Sequence, residues 1–179
     1  MKIDSNFPGG NIVVEKIGKT EVWLHQDLRD TGQDWFYWYF RVTGAERRTV
    51  RFHFTQSKAI GTRGPAISTD KGETWGWSGS TETNAFTYEF SRDARSVLFC
   101  MTMPYLETDW RKFISKYRGH AGLEAGNLCK SRAGRDVEKI RLGNLSDPAR
   151  KVLMRSCIRS FRLFGSNNPS EYGVSMATK

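Results

Sequence analysis

Three histidines, His25, His53 and His120, are the first residues to consider for metal chemistry, and their spacing argues against it. None lies in an HxxE, HxH or HExxH pattern, whereas zinc sites usually draw two ligands from close spacing on one element. The reading is that the chain holds no metal site, with His53 on a polar strand face and His25 at a strand end. No GxSxG, Gly-rich phosphate loop or cysteine in a catalytic setting occurs, so no catalytic residue is assigned. Asp27 and Asp30 could form an acid pair, but with no matching pocket they read as loop caps. Cys100, Cys129 and Cys157 are odd in number and far apart, which argues against a disulfide framework and for a reducing compartment.

Ser68-Thr69-Asp70-Lys71-Gly72-Glu73-Thr74-Trp75 fits the S-x-D-x-G-x-x-W turn called the Asp-box. Asp70 can accept hydrogen bonds from turn amides, Gly72 can supply a positive φ, and Trp75 can pack under the hairpin. Asp-boxes resemble those of sialidase propellers, but a propeller repeats the motif blade by blade and this chain has one copy. Ser68, Asp70, Gly72 and Trp75 are therefore expected to build a structural turn. A second set of residues could bind: Trp77 beside that turn, and Arg155, Arg159 and Arg162 near the end. If helical, those arginines would share a face suited to a polyanion.

The 179 residues carry a formal charge of +9, and the sequence pI is near 9.7. The charge is uneven: residues 1–104 hold 13 Lys/Arg against 12 Asp/Glu, and residues 105–179 hold 15 against 7. With the first part nearly neutral, nucleic acid is disfavoured as a partner. No apolar run approaches the roughly 18 residues of a membrane helix, so no membrane span is expected. The first ten residues contain no apolar signal segment, and a cytoplasmic location is expected.

The elements that must position these residues change character along the chain. Residues 11–17 and 20–25 are β-branched runs joined at Gly18-Lys19, a hairpin. Residues 34–42 (DWFYWYFRV) predict a strand with Trp35, Tyr37 and Tyr39 on one face and Phe36, Trp38, Phe40 and Val42 on the other. Two apolar faces call for cover on both sides, and a second domain is expected against one of them. Val50, Phe52 and Phe54 alternate with Arg51, His53 and Thr55, as Phe86, Tyr88 and Phe90 do with Thr87 and Glu89. Residues 95–103 read as another apolar strand, ending at Pro104. Short strands at regular spacing predict an antiparallel β-sandwich.

From residue 105 the pattern is mixed. Leu106, Trp110, Phe113, Ile114 and Tyr117 form a helical stripe over residues 107–117. Residues 119–126 read as a loop, 127–132 and 137–142 as a hairpin, and 150–154 as a short buried strand. The fold class is mainly β, with a sandwich over 1–104, a short α+β segment over 105–154 and a basic tail over 155–179.

Several segments, taken in order, resemble the cytosolic-type zinc carboxypeptidases. DLRDTGQDWFYWYFRV is similar to the Trp-Phe-Tyr-Phe strand of that family's N-terminal domain, and MPYLETDWRKFI to the junction between its two domains. LCKSRAGRDVEKIRLGN is similar to the hairpin that opens the carboxypeptidase domain, and ARKVLM to the strand after it. The likeness covers residues 5–154. It implies a sandwich packed on an α/β domain that holds zinc and hydrolyses C-terminal residues from peptide substrates. It also implies that Trp35, Tyr37, Tyr39, Pro104 and Tyr105 lie at the domain interface, exposed or self-associated where the catalytic domain is missing. After Met154 the family places its zinc-binding Arg-His-His-x-x-Glu segment, where this chain reads Arg155-Ser156-Cys157-Ile158-Arg159-Ser160. The expectation is a non-catalytic accessory domain, shortened before the zinc site, with no cofactor in this chain and zinc in the full-length relative. The alternative is a β-sandwich module that binds glycan or an acidic polymer through Trp77 and the basic tail.

Overall fold

A computed structural model describes residues 1–28, 36–56, 58–131 and 134–143, together with the backbone of 154–157. The chain divides into two compact units, Met1–Pro104 and Tyr105–Lys179.

In unit 1 the period-two runs become strands. They are β1 (Lys2–Asp4), β2 (Val13–Ile17), β3 (Glu21–His25), β4 (Tyr39–Thr43), β5 (Thr49–Phe54), β6 (Ala66–Ser68), β7 (Gly76–Trp77), β8 (Ala85–Glu89) and β9 (Ser96–Cys100). They form a five-stranded sheet, β1-β4-β9-β6-β7, and a four-stranded sheet, β2-β3-β5-β8. Alternation sets what faces inward: Val50 and Phe52 are fully buried and Phe54 nearly so, while Arg51 and His53 stay partly exposed. Phe52 of one sheet lies 5.6 Å from Phe40 and 5.4 Å from Phe99 of the other, ring centre to ring centre. Trp38, Val42, Phe86 and Val97 complete the fully buried centre. Burying each such side chain stabilises the fold by roughly 1.5–3 kcal/mol, so a mainly β unit of this size can stand on its core alone.

One pairing departs from the antiparallel expectation. β3 and β5 run parallel, Glu21 opposite Arg51 and Leu24 opposite Phe54. The chain leaves β3, crosses to the other sheet as β4 and returns as β5, so its direction reverses twice. β4 also begins later than the sequence suggests, at Tyr39, where the backbone pairs with Asn11 through bonds of 2.8 and 3.0 Å. Asp34 and Trp35 lie outside the described residues.

In unit 2, α1 (Glu107–Lys116) is followed by β10 (Leu123–Lys130), β11 (Asp136–Leu142) and β12 (Met154–Cys157) in one antiparallel sheet. The helix begins where the Leu106 amide donates to Asp109 Oδ2 at 2.8 Å, and Glu107 and Asp109 sit in the favourable first turn. Two expectations are corrected. β10 starts at Leu123, so the loop read over 119–126 is shorter, because the main chain of 123–126 pairs with Leu142–Lys139. The helical reading of Arg155 also fails: residues 154–157 form a strand, with Arg155 opposite Ile140. Residues 150–153, Arg159 and Arg162 lie outside the described residues.

Candidate functional site

The Asp-box residues come together as a closed polar turn between β6 and β7. Ser68 is 3% exposed, and its hydroxyl donates to Asp70 Oδ1 at 2.7 Å while accepting the Gly72 amide at 2.8 Å. The Thr74 amide donates to both Asp70 oxygens at 2.9 and 3.0 Å, and the Thr74 hydroxyl donates to Oδ2. Lys71 and Gly72 both take positive φ, +64° and +93°, which is why glycine suits the second position. Trp75 donates its indole N–H to Gly72 O at 3.1 Å and meets the Tyr39 ring edge-on at 5.8 Å.

The hydrogen bonds from the Thr74 hydroxyl, the Thr74 amide and Ser68 hold the Asp70 carboxyl well below the usual carboxylate range. Each favours the charged form, so the turn's contribution is present above the ordinary value near 3.8 and lost as pH falls below it. Asp70→Asn removes that linkage. Its melting temperature should lie below that of the parent protein at neutral pH, and the gap should narrow as pH falls from about 4 toward about 2.5. Thermal melts of both proteins across this range check it, and a gap independent of pH would contradict the charged-turn account.

The aromatic strand is where the structure departs most from expectation. Tyr37 and Tyr39 are 1% and 4% exposed, and residues of unit 1 itself lie against them. The Tyr37 hydroxyl donates to Gly9 O at 2.8 Å, and Phe7 meets Tyr39 edge-to-face at 4.8 Å. Arg41 binds Asp4 through two bonds of 3.1 and 3.0 Å and lies over the Phe7 ring at 5.3 Å. The chain closes tightly here: a Cβ on Gly10 would stand 1.9 Å from Ser5 O. Residues 4–10 thus form a strap over the outer face of β4, and the Asp-box tryptophan closes the face beside it. Tyr37 and Tyr39 are therefore not left open within unit 1, where the N-terminal segment lies against them. Pro104 ends unit 1 partly exposed, and Tyr105 is 48% exposed. Trp35 lies outside the described residues.

Asn11 is the residue that sequence reasoning missed. It is 4% exposed; its Oδ1 accepts the Asp27 amide at 2.7 Å, and its Nδ2 donates to Asp27 O and Tyr37 O at 3.2 and 3.3 Å. It ties the end of the β3 segment to the start of the β4 segment. The available signal was a lone asparagine opening the apolar run 11–14, with no turn residue after it.

The remaining candidates do not converge. Trp77 is 37% exposed with Arg63 over its ring at 5.8 Å. His53 Nε2 lies 3.1 Å from Glu21 and its ring stacks on Trp23 at 5.4 Å, while His25 lies 3.9 Å from Glu15. Burial pushes the Cys100 thiol up to about 12, so it stays a packed thiol. In unit 2, Trp110 donates to Glu138 at 2.8 Å and Arg111 pairs with the same carboxylate at 2.7 Å, fastening α1 to β11. Among the described residues no three His, Cys, Asp or Glu side chains gather to hold a metal.

The comparisons agree with this architecture. The profile of the family described as the cytosolic carboxypeptidase N-terminal domain matches residues 3–101. The chain is similar in fold to a candidate carboxypeptidase A from Shewanella denitrificans OS-217, with TM-score 0.69 and 20% identity over 84% of this chain and 42% of that one. It is also similar to a metallo-carboxypeptidase from Pseudomonas aeruginosa in complex with (2-guanidinoethylmercapto)succinic acid, with TM-score 0.65 and 24% identity over 82% and 41%. A metallo-carboxypeptidase from Burkholderia cenocepacia gives TM-score 0.65 and 19% identity over 84% and 41%. The chain thus spans about two fifths of the length of these structures. A search of curated protein sequences returned no match.

Proposed function

The chain belongs to the family of cytosolic carboxypeptidase N-terminal domains, and from that premise we propose that unit 1 is a non-catalytic accessory domain of a metallocarboxypeptidase-like protein. Its work is to support folding and to shape substrate access for a catalytic domain that removes C-terminal residues from peptides. The observation that carries the reading is the way unit 1 closes on itself. Its buried centre is made of fully buried aromatic and branched side chains from both sheets, and the strap and the Asp-box turn cover its remaining aromatic strand. A frame of this kind holds a neighbouring site without contributing reacting groups.

The family match over residues 3–101, which falls on unit 1, supports the accessory part of the reading. The glycan alternative finds less support, because Trp75 is committed to Gly72 and Tyr39 and Arg63 lies over the Trp77 ring. Equilibrium dialysis of the chain against micromolar zinc, followed by metal analysis, tests the proposal. Well below one zinc per chain is expected; one zinc retained per chain after dialysis into zinc-free buffer would overturn it.

A further inference from the structure

Strand direction gathers one set of chain turns at a single pole of unit 1. β2 ends there and β3 begins, with Ile17 opposite Val22. β4 ends at Thr43, opposite the starts of β1 at Lys2 and β9 at Ser96. β5 begins there at Thr49, opposite the end of β8 at Glu89. β9 runs away from this pole toward Pro104, which leaves unit 1 from the opposite end.

Six cations stand at this pole: Lys2, Lys19 in the β2–β3 turn, Arg47 and Arg48 in the β4–β5 loop, and Arg92 and Arg95 in the β8–β9 loop. All six are exposed, and none makes an ion pair with a described residue. The two arginine loops are fastened side by side, the Arg47 amide donating to Phe90 O at 3.1 Å and the Phe90 amide to Arg48 O at 2.8 Å. The acids here are Glu46, Glu89 and Asp93, together with Glu21, which is engaged by His53. Positive charge is therefore in excess at one end of a unit that is nearly neutral as a whole.

The arrangement narrows the partner. Cations on the tips of four separate segments suit an extended anionic surface better than one small oxyanion. The aromatic ring nearest them, Trp23 beside Gly18, is half-buried and already engaged, stacked on His53 at 5.4 Å with Lys16 4.9 Å over its ring, whereas single-stranded nucleic acid recognition uses free stacking rings. The large exposed apolar side chain at this pole is aliphatic: Ile17, 46% exposed, next to Gly18 and Lys19. Basic side chains around an aliphatic tip fit lipid headgroups above an acyl boundary. We propose that this pole docks unit 1 on an anionic lipid surface, a peripheral contact that needs no membrane span.

The test is sedimentation of the full chain with phosphatidylcholine vesicles, with and without about one third phosphatidylserine, at about 50 and about 300 mM salt. Binding is expected only to the phosphatidylserine vesicles, weakening at least about tenfold at the higher salt. The combined variant Arg48→Glu, Arg92→Glu, Arg95→Glu should lower that binding at least about tenfold with an unchanged melting temperature. Arg47 is left alone because its φ is +58° and its backbone is already constrained. Lys2→Glu with Lys19→Glu serves as the second variant if the first unfolds, with the same expected direction. The proposal is overturned by no binding to phosphatidylserine vesicles at the lower salt, by equal binding to phosphatidylcholine alone, or by binding that a folded variant leaves unchanged. Tighter binding to a duplex DNA oligomer than to the vesicles would also overturn it, in favour of a nucleic-acid surface.

Discussion

Trp38→Ala is expected to lower the stability of unit 1 by about 3–5 kcal/mol, enough to leave a domain of ordinary stability largely unfolded at modest urea. Trp38 is fully buried, and its ring lies 4.7 Å from Phe54, 5.7 Å from Phe40 and 6.2 Å from Phe86. Truncation opens a cavity between the two sheets, where strands on both sides limit collapse. It also removes the donor of the 2.6 Å bond to Ala59 O, and a buried carbonyl left unpaired costs roughly 1–3 kcal/mol in its own right. Trp38→Phe separates the two terms, since it keeps most of the packing and loses the bond. Urea unfolding followed by circular dichroism measures both variants. A loss below about 1 kcal/mol for the alanine variant would mean that the centre of unit 1 is not where the structure places it.

The second large effect is expected at Asn11. Asn11→Ala should cost about 2–4 kcal/mol, because it strips three hydrogen bonds from a site that is 4% exposed. The loss is local in character. Asp27 and Tyr37 flank the crossing from β3 to β4, and Asn11 also carries the backbone pairing with Tyr39. Hydrogen exchange at the Asp27 amide should therefore accelerate by more than the change in global stability accounts for. Asn11→Asp distinguishes shape from hydrogen bonding, since a carboxylate can still accept the Asp27 amide but cannot donate to either carbonyl. Equal stability of Asn11→Ala and the parent protein would remove the clamp from the account.

How much of this was legible in the sequence depends on how local each cause is. The alternation of Val50, Phe52 and Phe54 shows the buried face of β5 because the side-chain period of a strand is two. The Asp-box was legible for the same reason: its donors and acceptors lie within seven residues, and the structure returns Ser68, Asp70, Gly72 and Trp75 to one turn. The stripe through Trp110 and Phe113 gave α1 to within a residue. Causes that act across the chain were hidden. Tyr37 and Tyr39 read as an open interface because their cover, Phe7 and Gly9, lies about thirty residues earlier in sequence. Asn11 reads as an ordinary residue until the two segments it ties are seen side by side. The basic pole was invisible to a count that found residues 1–104 nearly balanced, since only the strand directions bring Lys2, Arg48 and Arg92 to one end.

The central proposal, that unit 1 is an accessory domain that supplies no peptidase chemistry of its own, is tested most directly by a turnover assay. The purified chain, supplied with zinc, is incubated with a mixed panel of short peptides, and release of C-terminal residues is followed with and without a chelator. The account predicts no release above the chelated control. Chelator-sensitive release by this chain would contradict it.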